Sequence, residues 1–320
     1  MSVPTTDQPP HTTRLAPSPT GALHLGNART FLLTWVLARQ RGLKIILRIE
    51  DLDGPRVRPG AIDDTIDTLR WLGIDWDDGP IIQSHDLAPY RDAMRALARA
   101  ALAYPSDLTR SEIEAAASAP QEGVHESAFP ASLRPSVAPE GRDFDREETN
   151  WRFATPLGPV PFDDEFMGAL APDPSASVGD FVIWTKRAQP SYQLAVVVDD
   201  HRQGVTHVVR GNDLADSAAR QLLLYRALRL EPEPHYLHLP LVRGSDGKRL
   251  AKRHGDTRVA TYRAAGVAPE RVIGLIAGWS GLPREPISSA DLAASLDLRR
   301  IPRSDVTFTA EDDAWLRNRS

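Results

Sequence analysis

The feature that most constrains the fold is a strand, turn, helix and strand in succession near the amino terminus. Residues 12–17 (TTRLAP) are predicted to form a short strand ended by proline, and residues 25–41 (LGNARTFLLTWVLARQR) have helical spacing closed by Gly42. The apolar, β-branched run at 43–49 (LKIILRI) predicts a second strand. Parallel, doubly wound α/β sheets are built from such units, so this class of fold is predicted.

Later segments continue the alternation of strands and helices. Apolar spacing predicts helices near 60–72, 87–103 and 213–229. β-rich composition predicts further strands, which are 181–187 (FVIWTKR), 192–200 (YQLAVVVDD), 205–211 (VTHVVRG) and 236–243 (YLHLPLVR). The stretch from about 105 to 180 is rich in Pro, Ala, Ser and acidic residues, and it predicts an insertion of short strands and loops. Short helices are expected to close the chain.

Composition excludes several classes of protein. The 320 residues contain no cysteine, which excludes disulfides and thiolate metal sites. No apolar run reaches about 18 residues, and the opening MSVPTTDQPPHTT is polar and proline-rich, so neither a signal peptide nor a membrane span is expected and the expected location is the cytoplasm. The net charge of −5 argues against indiscriminate nucleic-acid binding, although the arginines suit local phosphate contacts.

His24 stands where the first predicted strand gives way to the first predicted helix. Unpaired backbone N–H groups and the positive end of the helix dipole favour an anion at such a junction. Gly26 leaves room for a flat ring or a phosphate to approach the backbone, and Asn27 follows it directly. A lone histidine near a helix start also often serves only as a cap, so both interpretations stay open here.

A second stretch, GKRLAKRHGD, concentrates cationic and titratable side chains within seven residues, namely Lys248, Arg249, Lys252, Arg253 and His254. Such a loop is either a solvated basic turn or a mobile cationic clamp. The common phosphate and hydrolase signatures are missing from the sequence, since it contains no G-x-x-x-x-G-K-[ST], G-x-G-x-x-G, G-x-S-x-G or H-E-x-x-H. The two stretches are therefore the best candidates for chemistry.

Six motifs occur in a fixed order along the chain: PSPTGALHLGN, RIEDLD, YQLAVVVDD, VVRGNDL, HLPLV and KRLAKR. In this order and at these separations they resemble the class I glutamyl-tRNA synthetase group. The first and last stand at the places of the HIGH and KMSKS signatures of that class. The resemblance covers residues 14 to about 282, including GWSG near its end.

The resemblance implies an α/β protein with the Rossmann-like nucleotide-binding fold of class I synthetases, an α+β insertion and a small C-terminal helical region. It divides the chain into a first catalytic half at 12–104, the insertion at 105–180, a second catalytic half at 181–255 that contains the stretch GKRLAKRHGD, here called the lysine loop, and the helical region at 256–320.

The family's pattern also implies a role for individual residues. His24 and Lys252 would stabilise phosphate charge while glutamate is activated with ATP, and Mg²⁺ would accompany the ATP. The implied ATP-binding residues are His24, Gly26, Asn27 and Lys252. The implied glutamate-binding residues are Arg14, Ala16, Ser18, Glu50, Tyr192 and Arg210. As alternatives, the two arginines would be salt-bridged scaffold and the tyrosine a core aromatic.

Few residues follow Arg253. Conventional enzymes of the group continue into a long helical anticodon-binding region, which this stretch is too short to form. The chain is therefore expected to resemble the truncated branch, the glutamyl-queuosine tRNA(Asp) synthetases, which load glutamate onto queuosine in the anticodon loop. Val196 favours this branch, because the full-length enzymes usually have asparagine there. The expected partners are L-glutamate, ATP and queuosine-containing tRNA(Asp), with no membrane and a monomeric chain.

Other functions stay open at this point. They are a shortened conventional glutamyl-tRNA synthetase, another nucleotidyltransferase or adenylate-forming enzyme, and a catalytically idle synthetase-like RNA-binding protein. The presence of His24, Lys252 and Glu50 argues against the idle protein.

The insertion departs from the truncated branch at a metal site. Members of that branch often bind zinc through a C-x-C pair and a later Y-x-x-x-C, whose places here are Ser106–Leu108 and Phe129–Leu133. None of the ligands remains, so no zinc is expected. Apolar contacts from Leu108, Phe129 and Leu133 are expected to hold the insertion instead.

Overall fold

The computed structural model describes residues 11–109, 112–113, 128–135, 142–248, 250 and 256–318. They fall into two compact units. Unit 1 comprises the described residues of Met1–Gln83, Val205–Asp213 and Leu237–Ser320, and unit 2 those of Ser84–Gly204 and Leu214–Tyr236. The four-part division drawn from the sequence stays a prediction.

The described strands, in chain order, are β1 Thr12–Leu15, β2 Lys44–Ile49, β3 Asp78–Ile82, β4 Ala103–Pro105, β5 Trp151–Phe153, β6 Phe162–Asp164, β7 Gly168–Leu170, β8 Val182–Thr185, β9 Gln189–Pro190, β10 His207–Gly211, β11 His235–Leu239, β12 Val242–Arg243 and β13 Val306–Thr307. The described α-helices are α1 Leu25–Arg41, α2 Ala61–Trp71, α3 Ala88–Arg99, α4 Pro174–Ser177, α5 Tyr192–Arg202, α6 Ala215–Leu228, α7 Val259–Ala264, α8 Pro269–Trp279, α9 Ser289–Ser295 and α10 Ala310–Arg317. Within these residues no helix is long and apolar enough to cross a membrane.

Unit 1 is built on a sheet in which the strands lie in the order β3-β2-β1-β10-β11. β1 pairs in parallel with β2 on one side and with β10 on the other, and β2 pairs in parallel with β3. The core strands β1 and β2 are buried along nearly their whole length. Parallel strands buried on both faces read as continuous apolar runs, which explains why KIILRI shows no alternation.

α1 connects β1 to β2 and shows how local sequence fixes an element. Gly42 ends the helix in the left-handed conformation with φ of 65°, and its N–H donates to the carbonyl of Ala38. Helix α1 is buried around most of its circumference, with Leu32 and Leu33 fully enclosed. The predicted helix at 25–41 and strand at 43–49 are confirmed to within a residue.

The predicted strand at 192–200 is wrong. YQLAVVVDD lies in helix α5, in which every residue from Gln193 to Asp200 is buried. A helix enclosed on all sides has no polar face and therefore no helical periodicity, and its β-branched valines then suggest a strand. The neighbouring predictions are confirmed, because residues 205–211 contain β10 and residues 213–229 contain α6.

Unit 2 contains an antiparallel sheet in the order β4-β5-β8-β9. Its core holds Trp151 and Trp184, both fully buried, and the ring of Phe144 contacts each of them edge-on at 5.1 Å between centroids. A hairpin of β6 and β7 stands beside Tyr236, the first part of β11. The short strands predicted within 105–180 are thus present as β5, β6 and β7, whereas the insertion as a separate region stays a prediction.

The polar network around Asp180 cross-links unit 2. The side chain of Asp180 is 2% exposed and accepts hydrogen bonds from Tyr104 Oη, Arg134 and the backbone N–H of Thr155. Phe129 is buried as expected from the sequence, and the guanidinium of Arg152 lies 4.0 Å from its ring centroid.

Of the three side chains expected to support the insertion, Phe129 is buried and Leu108 and Leu133 are half-buried. Hydrogen bonds to Asp180 add further cross-links within the same unit. No group of three or more metal-ligating side chains is arranged to hold a metal within the described residues.

Candidate active site

The site lies in unit 1 where the order of strands reverses. Numbered along the chain, the five strands of that unit run 3-2-1-4-5, so the reversal falls between β1 and β10. In open parallel sheets, ligands bind outside the carboxyl ends of the strands at this point. The segments at that edge are the turn from β1 to α1, the end of β2 and the end of β10.

His24 caps the amino terminus of α1. Its backbone is extended, with φ of −97° and ψ of 166°, and its Nδ1 accepts hydrogen bonds from the backbone N–H groups of Gly26 at 3.1 Å and Asn27 at 3.3 Å. The imidazole thus satisfies two of the N–H groups that every helix start leaves without a partner.

This cap fixes the protonation of the ring. A nitrogen that accepts two N–H donors must present its lone pair, so in the neutral imidazole the proton sits on Nε2. The ring is half-buried, and Nε2–H is the donor N–H of this tautomer. The two interpretations of His24 drawn from the sequence are therefore compatible, since one nitrogen caps the helix while the other can serve an anion.

Gly26 is required by the position of the imidazole. A Cβ placed on it would lie 3.1 Å from both Cε1 and Nδ1 of His24 and 3.5 Å from Cβ of Val242. Gly26 itself donates the shorter of the two capping hydrogen bonds to that ring. A side chain at position 26 therefore competes with the cap.

We expect Gly26→Ala to displace the His24 ring by a few tenths of an ångström. The displacement weakens the cap, which costs about 0.5–2 kcal/mol of stability when lost, and misplaces Nε2, so the rate of a reaction that uses Nε2 as a donor should fall by about tenfold or more. A steady-state assay of that reaction measures the rate, and urea unfolding measures the stability. Gly21→Ala is the matched control, because a Cβ at Gly21 meets nothing within 4 Å; equal rates for the two variants would contradict the steric argument.

A short backbone ladder joins the start of α1 to the segment that follows the lysine loop. The N–H of Leu25 donates to the carbonyl of Thr257 at 3.0 Å, and the N–H of Val259 donates to Leu23 at 2.9 Å. His24 and Arg258 form an antiparallel bridge between these two bonds. Lys252 itself lies outside the described residues, as do Arg249, Arg253 and His254.

Asp305 ties together the segments at the base of the same loop. Its carboxylate accepts hydrogen bonds from the backbone N–H of Leu241 at 2.8 Å, from Asn212 Nδ2 at 3.1 Å and from Arg243 Nε at 2.5 Å. Partial burial raises the pKa of Asp305, but these hydrogen bonds lower it by more, so the pKa lies below its usual value. Because β12 and β13 pair in parallel beside it, the carboxylate anchors the strand that leads into the loop.

Arg29 joins α1 to the segment between β11 and β12. The side chain is 1% exposed, and its Nη1 donates to the carbonyl of Pro240. Burial lowers the pKa of Arg29 to about 10, against the opposing effect of the Asp305 charge. The helix that carries His24 is thus held by a buried guanidinium in addition to its apolar contacts.

Three charged side chains lie at the carboxyl edge of the sheet. Arg14 on β1 is 4% exposed, and its Nη1 approaches the carbonyl of Val209 at 3.4 Å, so it reaches from β1 to β10. Arg210 on β10 is 5% exposed, and its Nε donates to Nε2 of His238 at 3.0 Å. Both arginines therefore stand on the two strands that flank the reversal.

Glu50 directly follows β2, next to β1. Its backbone N–H donates to the carbonyl of Pro17, and its carboxylate accepts from Nη2 of Arg48 at 3.0 Å. The Arg48 side chain is fully buried and that of Glu50 is 13% exposed. The carboxyl edge of three neighbouring strands, β2, β1 and β10, thus carries one partly accessible carboxylate and two arginines, a set of charges that suits a ligand with both carboxylates and an ammonium group.

The sequence matches, over residues 11–311, the family of tRNA synthetases class I (E and Q), catalytic domain. The chain belongs to this family. The matched span contains the capping histidine, the two arginines, the glutamate and the Asp305 anchor, so this class I synthetase carries its candidate site within the family's catalytic domain.

Two curated relatives are similar over most of their length. A Glutamyl-Q tRNA(Asp) synthetase of Symbiobacterium thermophilum is 47% identical over 317 residues, which cover 95% of this chain and 97% of the relative. A Glutamyl-Q tRNA(Asp) synthetase of Rhodopirellula baltica is 47% identical over 280 residues, which cover 84% of each. The similarity thus extends beyond the six motifs.

A crystal structure of the glutamate-tRNA synthetase of Elizabethkingia anophelis has the same fold. It superimposes with a TM-score of 0.78 at 28% identity, covering 96% of this chain and 70% of the solved one. The predicted class I α/β fold of this synthetase is confirmed. The resemblance first drawn from six short motifs is confirmed by comparison over almost the whole chain.

The structure gathers most of the predicted site residues of the synthetase in unit 1. These are Arg14, Ala16, Ser18, His24, Gly26, Asn27, Glu50 and Arg210. Ala16 is half-buried and Ser18 exposed in the turn after β1. Tyr192 is the first residue of α5 in unit 2 and is 40% exposed, so it is not a core aromatic. The roles given to these residues stay predictions.

Sequence reasoning missed three residues that support the site. Arg48, His238 and Asp305 contact Glu50, Arg210 and the base of the lysine loop, respectively. Two signals were available, because Arg48 opens the motif RIEDLD and His238 opens the motif HLPLV. Asp305 lies outside every motif, and no pattern pointed to it.

Proposed function

We propose that the chain activates L-glutamate with ATP and transfers it to the queuosine base in the anticodon of tRNA(Asp). The observation that carries the proposal is the placement of Arg14, Arg210 and Glu50 at the reversal of the sheet, in the unit that also holds the cap formed by His24. The names of the two curated relatives favour queuosine as the acceptor.

The activation step needs charge stabilisation more than covalent chemistry. A carboxylate oxygen of glutamate attacks the α-phosphorus of ATP, the bond to the bridging oxygen breaks, and pyrophosphate leaves. Negative charge shifts between the oxygens during this exchange, so fixed donors and cations lower the barrier. In the proposal, Nε2–H of His24 donates to phosphate oxygens at the mouth of α1, and Gly26 and Asn27 lie against the nucleotide.

Lys252 supplies the second positive charge in this proposal. It precedes Thr257 by five residues, and the carbonyl of Thr257 is bonded to the start of α1. In the proposal the ammonium group of Lys252 contacts the phosphates of ATP. Its charge would act as pyrophosphate leaves, and hence mainly on the rate.

Glutamate would be held by opposite charges on three strands. Arg14 and Arg210 would take the two carboxylates, because guanidinium forks match carboxylate geometry. Glu50 would take the ammonium group, held in place by Arg48. Ala16 and Ser18 would line the floor. The second step then forms an ester: a hydroxyl of queuosine attacks the carbonyl of the adenylate and AMP leaves.

Mg²⁺ would enter the site with ATP. Within the described residues no cluster of metal-ligating side chains forms a protein cage, and magnesium commonly keeps several waters and binds through substrate phosphates. The residues present therefore fit a nucleotide-borne ion, which would neutralise phosphate charge. The same proposal places the chain in the cytoplasm, where ATP and tRNA are found, and has it act as a monomer.

The deciding experiment supplies ATP and labelled glutamate with three RNAs. These are tRNA(Asp) with queuosine, tRNA(Asp) without it, and tRNA(Glu). We expect label only on the first. Removing the terminal adenosine from each RNA is the matched control, because transfer to the anticodon survives it and transfer to the 3′ end does not.

Two results would overturn the proposal. Label at the 3′ end of tRNA(Glu) would indicate a shortened conventional glutamyl-tRNA synthetase. Absence of glutamate-dependent exchange between ATP and pyrophosphate would indicate a synthetase-like protein without activity.

A further inference from the structure

Three exposed arginines lie close together in the segment that joins α9 to β13. They are Arg299, Arg300 and Arg303, and we call residues 297–303 the arginine segment. The side chain of Arg299 is 90% exposed. The whole chain has a net charge of −5, so three arginines within five residues depart from its average charge. Clusters of exposed arginine are typical of surfaces that contact phosphate.

The backbone of the arginine segment is held within unit 1 at its middle and on both sides. Ile301 in its middle is 2% exposed. On the amino-terminal side, Nε2 of Gln40 at the end of α1 donates to the carbonyl of Leu296 at 2.7 Å. On the carboxyl-terminal side, Asp305 accepts from the backbone N–H of Leu241 at 2.8 Å. The exposed arginines therefore extend from a fixed backbone, which reduces the entropy that a ligand must remove on binding.

Asp297 pairs with Arg299 inside the arginine segment. The two carboxylate oxygens accept from Nε and Nη2 of Arg299, each at 3.0 Å, and Oδ1 also accepts from the backbone N–H of Arg299 at 3.0 Å. The pair orients the guanidinium and still leaves most of it exposed. Because an exposed ion pair is weak, a phosphate can compete with Asp297 for Arg299, and the negative charge of Asp297 weakens that contact.

Exposed side chains of the opposite charge lie on α2 and at the start of β3, also in unit 1. They are the aspartates Asp63, Asp64, Asp67 and Asp78. These carboxylates repel a polyanion such as an RNA backbone, whereas a group of arginines attracts it. The charge distribution of unit 1 therefore favours the arginine segment over α2 as a place for phosphate contacts.

We propose that the arginine segment binds backbone phosphates of the RNA that receives glutamate. This inference rests on the proposed function, which makes an RNA the acceptor. Guanidinium groups bind phosphate oxygens through two parallel hydrogen bonds, and contacts to the backbone read no base. The segment therefore contributes affinity and orientation for the RNA, carries no preference for sequence and takes no part in the activation of glutamate.

The double variant Arg300→Gln/Arg303→Gln tests the proposal, because it removes two charges and keeps long polar side chains. Filter binding with labelled queuosine-containing tRNA(Asp), repeated over a series of salt concentrations, measures the effect. We expect the Kd at low salt to rise by about tenfold or more. The slope of log Kd against log salt concentration should fall by about 1.4–1.8, because each phosphate contact contributes about 0.7–0.9 to that slope.

Arg70→Gln/Arg263→Gln is the matched control. Both arginines are exposed in unit 1, Arg70 lies on α2 and Arg263 pairs with Asp67 of that helix. The control therefore removes the same charge beside the exposed aspartates, and its Kd and slope should equal those of the wild type.

Asp297→Asn should act in the opposite direction. The amide keeps an oxygen that can accept from the N–H of Arg299 and removes the negative charge beside the guanidinium. The same filter-binding series should give a Kd lower by about two- to fivefold, the size of a weak exposed pair.

Two further measurements keep this inference separate from the proposed function. Glutamate-dependent ATP–pyrophosphate exchange should be equal in Arg300→Gln/Arg303→Gln and the wild type, and the KM for the RNA in glutamate transfer should rise together with the Kd. If the wild type bound the RNA but transferred no glutamate, the proposed function would fail and the salt series would still decide the role of the segment. An unchanged slope in this variant, or an equal fall in the control, would overturn the inference, as would a wild type that binds no tRNA.

Discussion

Asp180→Ala is expected to lower the free energy of unfolding of unit 2 by about 3–5 kcal/mol, the usual cost of removing one partner from a buried ion pair. The carboxylate is 2% exposed and is the shared acceptor of several donors. Tyr104 Oη donates to it at 2.6 Å, Arg134 Nε at 2.7 Å and the N–H of Thr155 at 2.9 Å. Its removal leaves the hydroxyl of Tyr104 and the N–H of Thr155 without their acceptor in a buried region, and it takes the carboxylate away from Arg134, whose side chain is 32% exposed.

The pKa values of the neighbours agree with this account. Burial and the hydrogen bond to Asp180 raise the pKa of Tyr104 far above its ordinary value, so the tyrosine stays a neutral donor. The hydrogen bond to Asp180 likewise raises the pKa of Arg134. Both donors therefore depend on the same ionised carboxylate.

Urea unfolding followed by tryptophan fluorescence measures the effect, since Trp151 and Trp184 are buried in the same unit. Asp107→Ala is the matched control: Asp107 also pairs with an arginine, Arg146, but the two side chains are 67% and 52% exposed. An exposed pair of this kind contributes about 0–1 kcal/mol. If the two variants unfolded at the same urea concentration, the cross-linking role of Asp180 would be ruled out.

The elements that the sequence predicted best are those whose signals are local. The cap formed by His24 involves residues two and three positions away, and the end of α1 is set by Gly42 next to it. A reader of the sequence can therefore place both, because a helix start and a left-handed glycine have short signatures. The fold class followed from the alternation of such segments.

Helix α5, which the sequence predicted to be a strand, shows that local sequence signals do not always determine the type of element. Its apolar residues are buried by surrounding elements on every side, so tertiary contacts decide its conformation and its valines carry no periodic signal. Nothing in YQLAVVVDD itself distinguishes a buried strand from a buried helix. This error did not affect the resemblance to the family, because the resemblance depends on the order of the motifs and not on the type of element that each motif forms.

The residues that support the site could not be predicted from the sequence for a different reason. Arg210 and His238 are 28 positions apart in the chain, and Arg243 and Asp305 are 62 apart. Their contacts arise from strand order, which brings β10 beside β11 and β12 beside β13. A single sequence states which residues are present, but distances of this kind appear only once the sheet is assembled.

His24→Asn is expected to separate the two functions of the histidine. Asparagine is among the best capping residues, and its Oδ1 can accept from the N–H groups that Nδ1 of His24 now holds. It has no donor at the position of Nε2. The variant should therefore keep its stability to within about 0.5 kcal/mol and lose about 10²- to 10³-fold in the rate of adenylate formation, which is typical for one lost transition-state donor.

His24→Ala supplies the comparison, because it removes the cap as well as the donor. It should be as slow as His24→Asn in glutamate-dependent ATP–pyrophosphate exchange and in addition less stable by about 1 kcal/mol in urea. The rate should fall in both variants with little change in the KM for glutamate, because the lost bond acts on phosphate charge as it develops. A rate for His24→Asn near that of the wild type would leave the imidazole with a capping role alone and would remove Nε2 from the chemistry.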